Sequence, residues 1–148
     1  IFNSMVKYIT KKNLGNCYIN FGHPISFSSM LSNYDSESEL AKSLGNLLIE
    51  NIKSLVIVSP ISLLAYTLLK SDKMSLKEFE EKFKENVKKL IDSKANVEHV
   101  NSEKITEYLE FADRKGLIIY DKSDEVILVG HKKRNVIEYY SNNIRHLF

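Results

Sequence analysis

Four histidines and one cysteine are the first side chains to weigh for chemistry in this chain. His23, His99, His131 and His146 stand far apart, and no two have the spacing of a metal-ligand pair. Cys17 has no neighbouring base to activate it as a nucleophile, and it reads as a packed strand residue. The five glycines are isolated, so no phosphate-cradling loop is present. Neither a metal nor a cofactor is expected. What remains is a stiff corner, Tyr18-Ile-Asn-Phe-Gly-His-Pro-Ile25. Alternation of Tyr18, Asn20 and Gly22 with Ile19 and Phe21 is the period-2 signature of a strand. Gly22 lets the backbone turn, and Pro24 fixes φ and forces His23 out of the helical region. A rigid turn at a strand exit is where α/β enzymes often place substrate contacts.

Three segments carry a family resemblance. Gly15-Asn-Cys-Tyr-Ile-Asn-Phe-Gly-His-Pro-Ile25 is similar to the fourth conserved block of the glycerol-3-phosphate acyltransferases: strand, Phe-Gly, any residue, Pro, aliphatic. Val58-Ser-Pro-Ile-Ser-Leu-Leu-Ala65 resembles a helix start in that family. Tyr139-Tyr-Ser-Asn-Asn-Ile-Arg-His146 is similar to a Tyr-Tyr-x-Asn-Asn-x-x-His segment of the bacterial membrane-associated type. The three stand in the family's order. Bacterial members usually carry an acidic residue where this chain has His23.

The resemblance implies an activity that this chain does not complete. The family's acyl transfer uses a His-x4-Asp pair, the histidine as general base and the aspartate as its orienter. Five residues beyond His23, His99 and His131 stand Ser28, Lys104 and Val136, and the chain stops soon after His146. The family's Glu-Gly block is also missing. The resemblance therefore places the catalytic blocks upstream of Ile1, with no catalytic residue in this chain. It implies that Phe21, Gly22 and Pro24 line the substrate pocket, and that Tyr139, Asn142, Asn143 and His146 form a structural motif. The implied reaction moves an acyl group from acyl-CoA or acyl-ACP to the sn-1 hydroxyl of glycerol 3-phosphate, at the cytoplasmic face of the cell's inner membrane. Dihydroxyacetone phosphate stays open as an acceptor.

Composition agrees with a globular chain of 148 residues, 43% hydrophobic and 27% charged. A formal charge of +2 is too small to argue for nucleic acid. A single cysteine fits a reducing compartment. The apolar run from Leu55 to Leu69 is broken by Ser59, Pro60, Ser62 and Thr67, which reads as buried helix rather than a membrane span. Because the chain starts at Ile1 without a helix cap, it is expected to be an internal piece of a larger protein.

The expected fold class is α+β, mainly helical. Residues 1–30 would be the end strand and edge of an acyltransferase α/β domain, and 31–148 a helical region. Ser26 to Ser38, with six serines, reads as a polar linker. Ser36 and Glu39 form a capping box for a helix with Leu40, Leu44, Leu47, Leu48 and Ile52 on one face. Ser59 and Pro60 open a second helix, through Leu69. Ser75 and Glu78 cap a third, with Leu76, Phe79, Phe83, Val87 and Leu90 on its inner face. A fourth, from Ser102 to Lys115, turns Ile105, Tyr108, Leu109 and Ala112 inward and ends at Gly116. Leu117 to Tyr120 and Val126 to Val129 should pair as a hairpin, and a last helix runs from Arg134 to Phe148.

Three helices and a hairpin are also the element order of a winged helix, so the alternative reading is a binding module for protein or nucleic acid. Its reading helix would carry Glu103, Glu107, Glu110 and Asp113 against Lys104, Arg114 and Lys115. Phosphate attraction supplies much of DNA affinity, and this helix offers none, so no nucleic-acid partner is expected. Lys132, Lys133 and Arg134 open the last helix, where cations oppose the macrodipole. That charge reads as a solvated run, with anionic lipid headgroups as the functional alternative beside Tyr139 and Tyr140.

Overall fold

The computed structural model describes residues 19–34 and 36–148. Helix α1 is Phe27–Leu31 and α2 is Glu37–Ser54. Helix α3, Pro60–Leu68, leads through strand β1, Lys73–Ser75, into α4, Leu76–Asp92. Helix α5, Ile105–Arg114, is followed by β2, Ile119–Asp121, and β3, Val126–Leu128. Helix α6, Arg134–Asn142, and a 3-10 turn, Arg145–Leu147, complete the described elements. The molecule is mainly helical with one small antiparallel sheet in the order β1-β3-β2.

Helix α3 is the centre of the packing. Ser59 caps it by accepting the Ser62 N–H at 3.2 Å, and Pro60 takes the first helical position, where its missing N–H costs nothing. Its side chains Leu63, Leu64, Ala65 and Leu68 are fully buried. Helix α6 packs most extensively on it, followed by α4 and α5. Phe79, Phe83 and Leu90 of α4, Leu109 and Ala112 of α5, and Ile137 of α6 close the core around it. The polar face of α3 is satisfied internally: Thr67 donates to the Leu63 carbonyl at 2.8 Å and accepts from Asn86 at 3.2 Å. Among the described residues no buried side-chain nitrogen or oxygen lacks a partner.

The sheet closes one end of this core. Ile127, in the middle strand, pairs with Met74 on one side and Tyr120 on the other, and both Ile127 and Met74 are buried. Strand β1 was not expected from the sequence, because three residues are too few to show an alternation. Gly116 ends α5 with φ +64°, and Leu117 N–H reaches back to the Ala112 carbonyl at 2.9 Å. The Asp113 carboxylate accepts the Tyr120 N–H at 3.1 Å, which fixes the hairpin against α5. Asp121 accepts from the N–H groups of Ser123 and Asp124, so the hairpin turn is closed by its own first residue.

Several expectations need correction. Ile19 to Ser26 forms no strand, because no described strand lies alongside to share a ladder; Tyr18 and Cys17 lie outside the described residues. The serine-rich linker contains helix α1, capped by Ser26 through the Ser29 N–H at 3.4 Å. On the shared apolar face of α2 only Leu40 is buried, whereas Leu47, Leu48 and Ile52 are exposed. Ser36 makes no side-chain cap bond. The last helix stops at Asn142, not Phe148.

Candidate functional site

The corner and the terminal motif, far apart in sequence, meet at one helix end. Helix α2 finishes at Ser54, leaving backbone carbonyls of its last turn without intrahelical partners. Asn20 Nδ2 donates to the Leu55 carbonyl at 3.0 Å. His146 Nε2 lies 3.4 Å from the Lys53 carbonyl, close enough for its N–H to donate there. A Cβ placed on Gly22 would come within 3.1 Å of Leu55 Cδ1, so the corner rests directly on this helix end. Asn20 and His146 therefore act as side-chain caps delivered from two distant segments. Sequence reasoning singled out both segments; it did not place them together, because the capped carbonyls belong to a third.

Around that joint the chain is open. Phe21 is 89% exposed, and Gly22, His23 and Pro24 are exposed beside it. Tyr139 is exposed and stacks edge-on against Tyr140 at 5.5 Å. Asn142 and Asn143 are exposed, and among the described residues their amides make no side-chain hydrogen bond; they terminate α6 instead of tying it to a neighbour. Ile19, Phe27, Leu31, Leu47, Leu48, Ile49 and Ile52 are exposed as well. So many large apolar side chains in one stretch are costly to leave in water and are the usual mark of an interaction surface.

Among the described residues, two of the hollows lie elsewhere. One, of about 220 Å³, is lined by Pro60, Ile61, Tyr108 and Phe111 and is apolar. The other, of about 500 Å³, opens between α3, α4 and the terminal 3-10 turn. Tyr66 and Phe148, stacked 3.9 Å apart, form one wall, and Lys70, Lys82, Lys89 and Arg145 bring four cations against one lining acid, Glu85. The hydrogen bond from Lys89 holds the Glu85 carboxyl below its usual range, and Glu85 in turn pushes the Lys89 ammonium up. Neither hollow is lined by Phe21, Gly22 or Pro24.

The basic segment before α6 is partly used inside the fold. Arg134 pairs with Asp72 at 3.1 Å and reaches the Ser71 carbonyl at 3.4 Å, tying α6 to the approach to β1. Lys132 and Lys133 stay exposed. Helix α5 shows its acids to solvent: Glu110 receives Lys122 at 2.7 Å and Arg114 at 3.8 Å. Among the described residues no three His, Cys, Asp or Glu side chains gather as a metal site, and no helix is long and apolar enough to cross a membrane.

Comparison with known proteins bears directly on these segments. Two curated relatives carry the name glycerol-3-phosphate acyltransferase. The one from Pasteurella multocida (strain Pm70) is 29% identical over 160 residues, covering 93% of this chain and 20% of its own length. The one from Actinobacillus pleuropneumoniae serotype 5b (strain L20) is 26% identical over 160 residues, covering 93% of this chain and 19% of its own length. The chain thus spans about a fifth of the curated relatives it matches. No solved structure matches it. The family model described as the glycerol-3-phosphate acyltransferase C-terminal region matches residues 2–148, and the chain belongs to that family.

Proposed function

We propose that this chain serves as the C-terminal region of an acyltransferase that esterifies the sn-1 hydroxyl of glycerol 3-phosphate with a fatty acyl group. The donor is a thioester of coenzyme A or of acyl carrier protein. On this reading the chain supplies no catalytic base; it braces a reaction centre carried by other residues of the enzyme. The observation that carries the proposal is the set of large apolar side chains left exposed between Ile19 and Ile52, in a chain that belongs to this family. Phe21, Gly22 and Pro24 are exposed within that stretch, where they would abut the substrate-binding part of the enzyme. His146 borders it through the joint at Lys53 and Leu55, and Tyr139, Asn142 and Asn143 precede it in the same motif. The division of the chain into an edge segment, 1–30, and a helical region, 31–148, belongs to the same proposal. So does the winged-helix-like unit, whose order of helix, strand, two helices and hairpin serves here as a support rather than a DNA reader. A membrane surface at the cytoplasmic face, where the acyl acceptor's product would be delivered, completes the reading.

The test is acylation by the intact enzyme containing this chain. Glycerol 3-phosphate with labelled acyl-CoA, and separately with acyl-ACP, is expected to yield a 1-acyl product. Ile49→Asp with Ile52→Asp is expected to reduce that rate at least tenfold, since each charge would have to be buried unpaired in the contact. Pro24→Ser is expected to lower the rate while the chain keeps its melting temperature. Absence of acylation by the wild type, or full activity of both variants, would reject the reading.

A further inference from the structure

The corner from Phe21 to Pro24 has no secondary structure of its own to hold it. No described strand pairs with residues 19–26, and Ile19 and Phe21 are exposed, so neither a backbone ladder nor deep burial fixes their place. What fixes it is side-chain chemistry at Asn20. Its Nδ2 donates to the Leu55 carbonyl at 3.0 Å, across 35 positions of sequence. Among the described residues no backbone N–H reaches that carbonyl. Beyond Asn20, the Gly22 backbone lies so near Leu55 that an added Cβ would stand 3.1 Å from Cδ1. The anchor is itself firmly held. Leu55 is the C-cap of α2, and the chain runs from it to Val58 and then to Pro60, which opens α3. Val58 is fully buried, and its N–H donates to the Asn96 carbonyl at 2.9 Å.

We propose that Asn20 is a positioning residue for acyl transfer: its amide seats the corner on the end of α2 and so fixes the apolar wall that the corner offers the acyl donor. This role rests on the acyltransferase reading. The residue type fits the task. A carbonyl oxygen only accepts, so its partner must donate, and asparagine brings an N–H on a short stem. An aspartate of the same shape would set a carboxylate against the carbonyl end of α2, where negative charge is disfavoured. Gly22 allows the close approach because it has no side chain, and Pro24 keeps its φ fixed. A displacement at Asn20 therefore passes to the whole corner instead of being absorbed within it. Phe21 and Pro24, exposed on the corner, are apolar and suit a hydrocarbon chain better than the phosphate of the acceptor. Loosening the corner then weakens the hold on the acyl donor and spares glycerol 3-phosphate.

The experiment pairs kinetics of the intact enzyme with amide spectra of the 148-residue chain. In the intact enzyme, Asn20→Ala is expected to raise the KM for a palmitoyl thioester, of coenzyme A or of acyl carrier protein, about three- to tenfold, as one lost hydrogen bond would. The KM for glycerol 3-phosphate is expected to stay unchanged. Asn20→Asp is expected to be at least as impaired as Asn20→Ala, and Asn20→Gln, which keeps the donor, to recover part of the loss. Asn135→Ala, at an exposed position of α6, is expected to match the wild type. A residue that merely held the fold together would change the amount of active enzyme and leave both KM values alone. In the chain by itself, Asn20→Ala is expected to shift the amide resonances of residues 21–25 and 54–56 while those of α3 stay in place. The two arms separate the failures. A wild-type enzyme that transfers no acyl group rejects the acyltransferase reading and the kinetic role with it, while the spectra still decide whether Asn20 seats the corner. An active wild type whose Asn20 variants keep its KM for the thioester, an Asn20→Asp variant that behaves as wild type, or spectra that do not change would each overturn the positioning role alone.

Discussion

Replacing Phe83 with alanine tests where the core of this chain begins and ends. Phe83 is fully buried on α4, with its ring 5.7 Å from Phe79 and 6.3 Å from Tyr108, both tilted. Truncating a buried phenylalanine costs about 3–5 kcal/mol, the spread reflecting how far the walls relax. Here the walls are fixed helices, and two favourable ring contacts disappear with the side chain, each worth about 0.5–1.5 kcal/mol. The expected loss is therefore in the upper half of that range, about 4–5 kcal/mol. For a chain of this size that lowers the melting temperature by roughly 10 °C. The matched control is Ile52→Ala on α2, where the side chain is 65% exposed. A substitution that removes no buried contact changes stability by no more than about 0.5 kcal/mol. Both variants and the wild type would be unfolded in urea and by heat, followed by far-ultraviolet circular dichroism. If Phe83→Ala stays within about 1 kcal/mol of wild type, or Ile52→Ala loses as much as Phe83→Ala, the division between core and exposed face is wrong.

Two further substitutions probe local structure. Gly116 holds φ +64° at the end of α5, so Gly116→Ala should cost about 1–2 kcal/mol from the left-handed backbone alone; an unchanged urea midpoint would remove the capping argument. Lys122 donates to Glu110 and keeps its carboxyl below the usual range. A carboxyl lowered by folding contributes stability that is present above its unfolded pKa and disappears as pH falls through the folded one. Lys122→Ala should raise the Glu110 titration midpoint, read from its side-chain carbon resonance, and shrink the acid-range pH dependence of stability. A midpoint that does not move would mean that another cation, such as Arg114, sets it.

Much of the fold could be read from local chemistry. Ser59 with Pro60, Ser75 before α4, and Gly116 after α5 act within a few residues of themselves, and each marks its boundary where the structure has it. The inner faces of α4 and α5 were legible because charged residues alternate with apolar ones at helical spacing. The same reasoning failed on α2. Its leucines and isoleucines also recur at helical spacing, but less sharply segregated from polar residues, and periodicity reports only which residues share a face, not whether anything covers it. The corner at Phe21 failed differently: alternation and a Gly-x-Pro turn describe a strand only if a second strand pairs with it, and none does among the described residues. For the joint at Lys53 and Leu55, the signal was two motifs without a common partner. Backbone carbonyls, which have no letter in the sequence, supply that partner.

Because α3 sits amid α4, α5 and α6, its amides have no private route to solvent. Any fluctuation wide enough to wet Leu63 or Leu64 must first part the helices around them. Deuterium should therefore enter this segment last, at a rate set by whole-molecule unfolding, while α1 exchanges through small openings of its own. Nine residues thus act as the latch of a single cooperative unit.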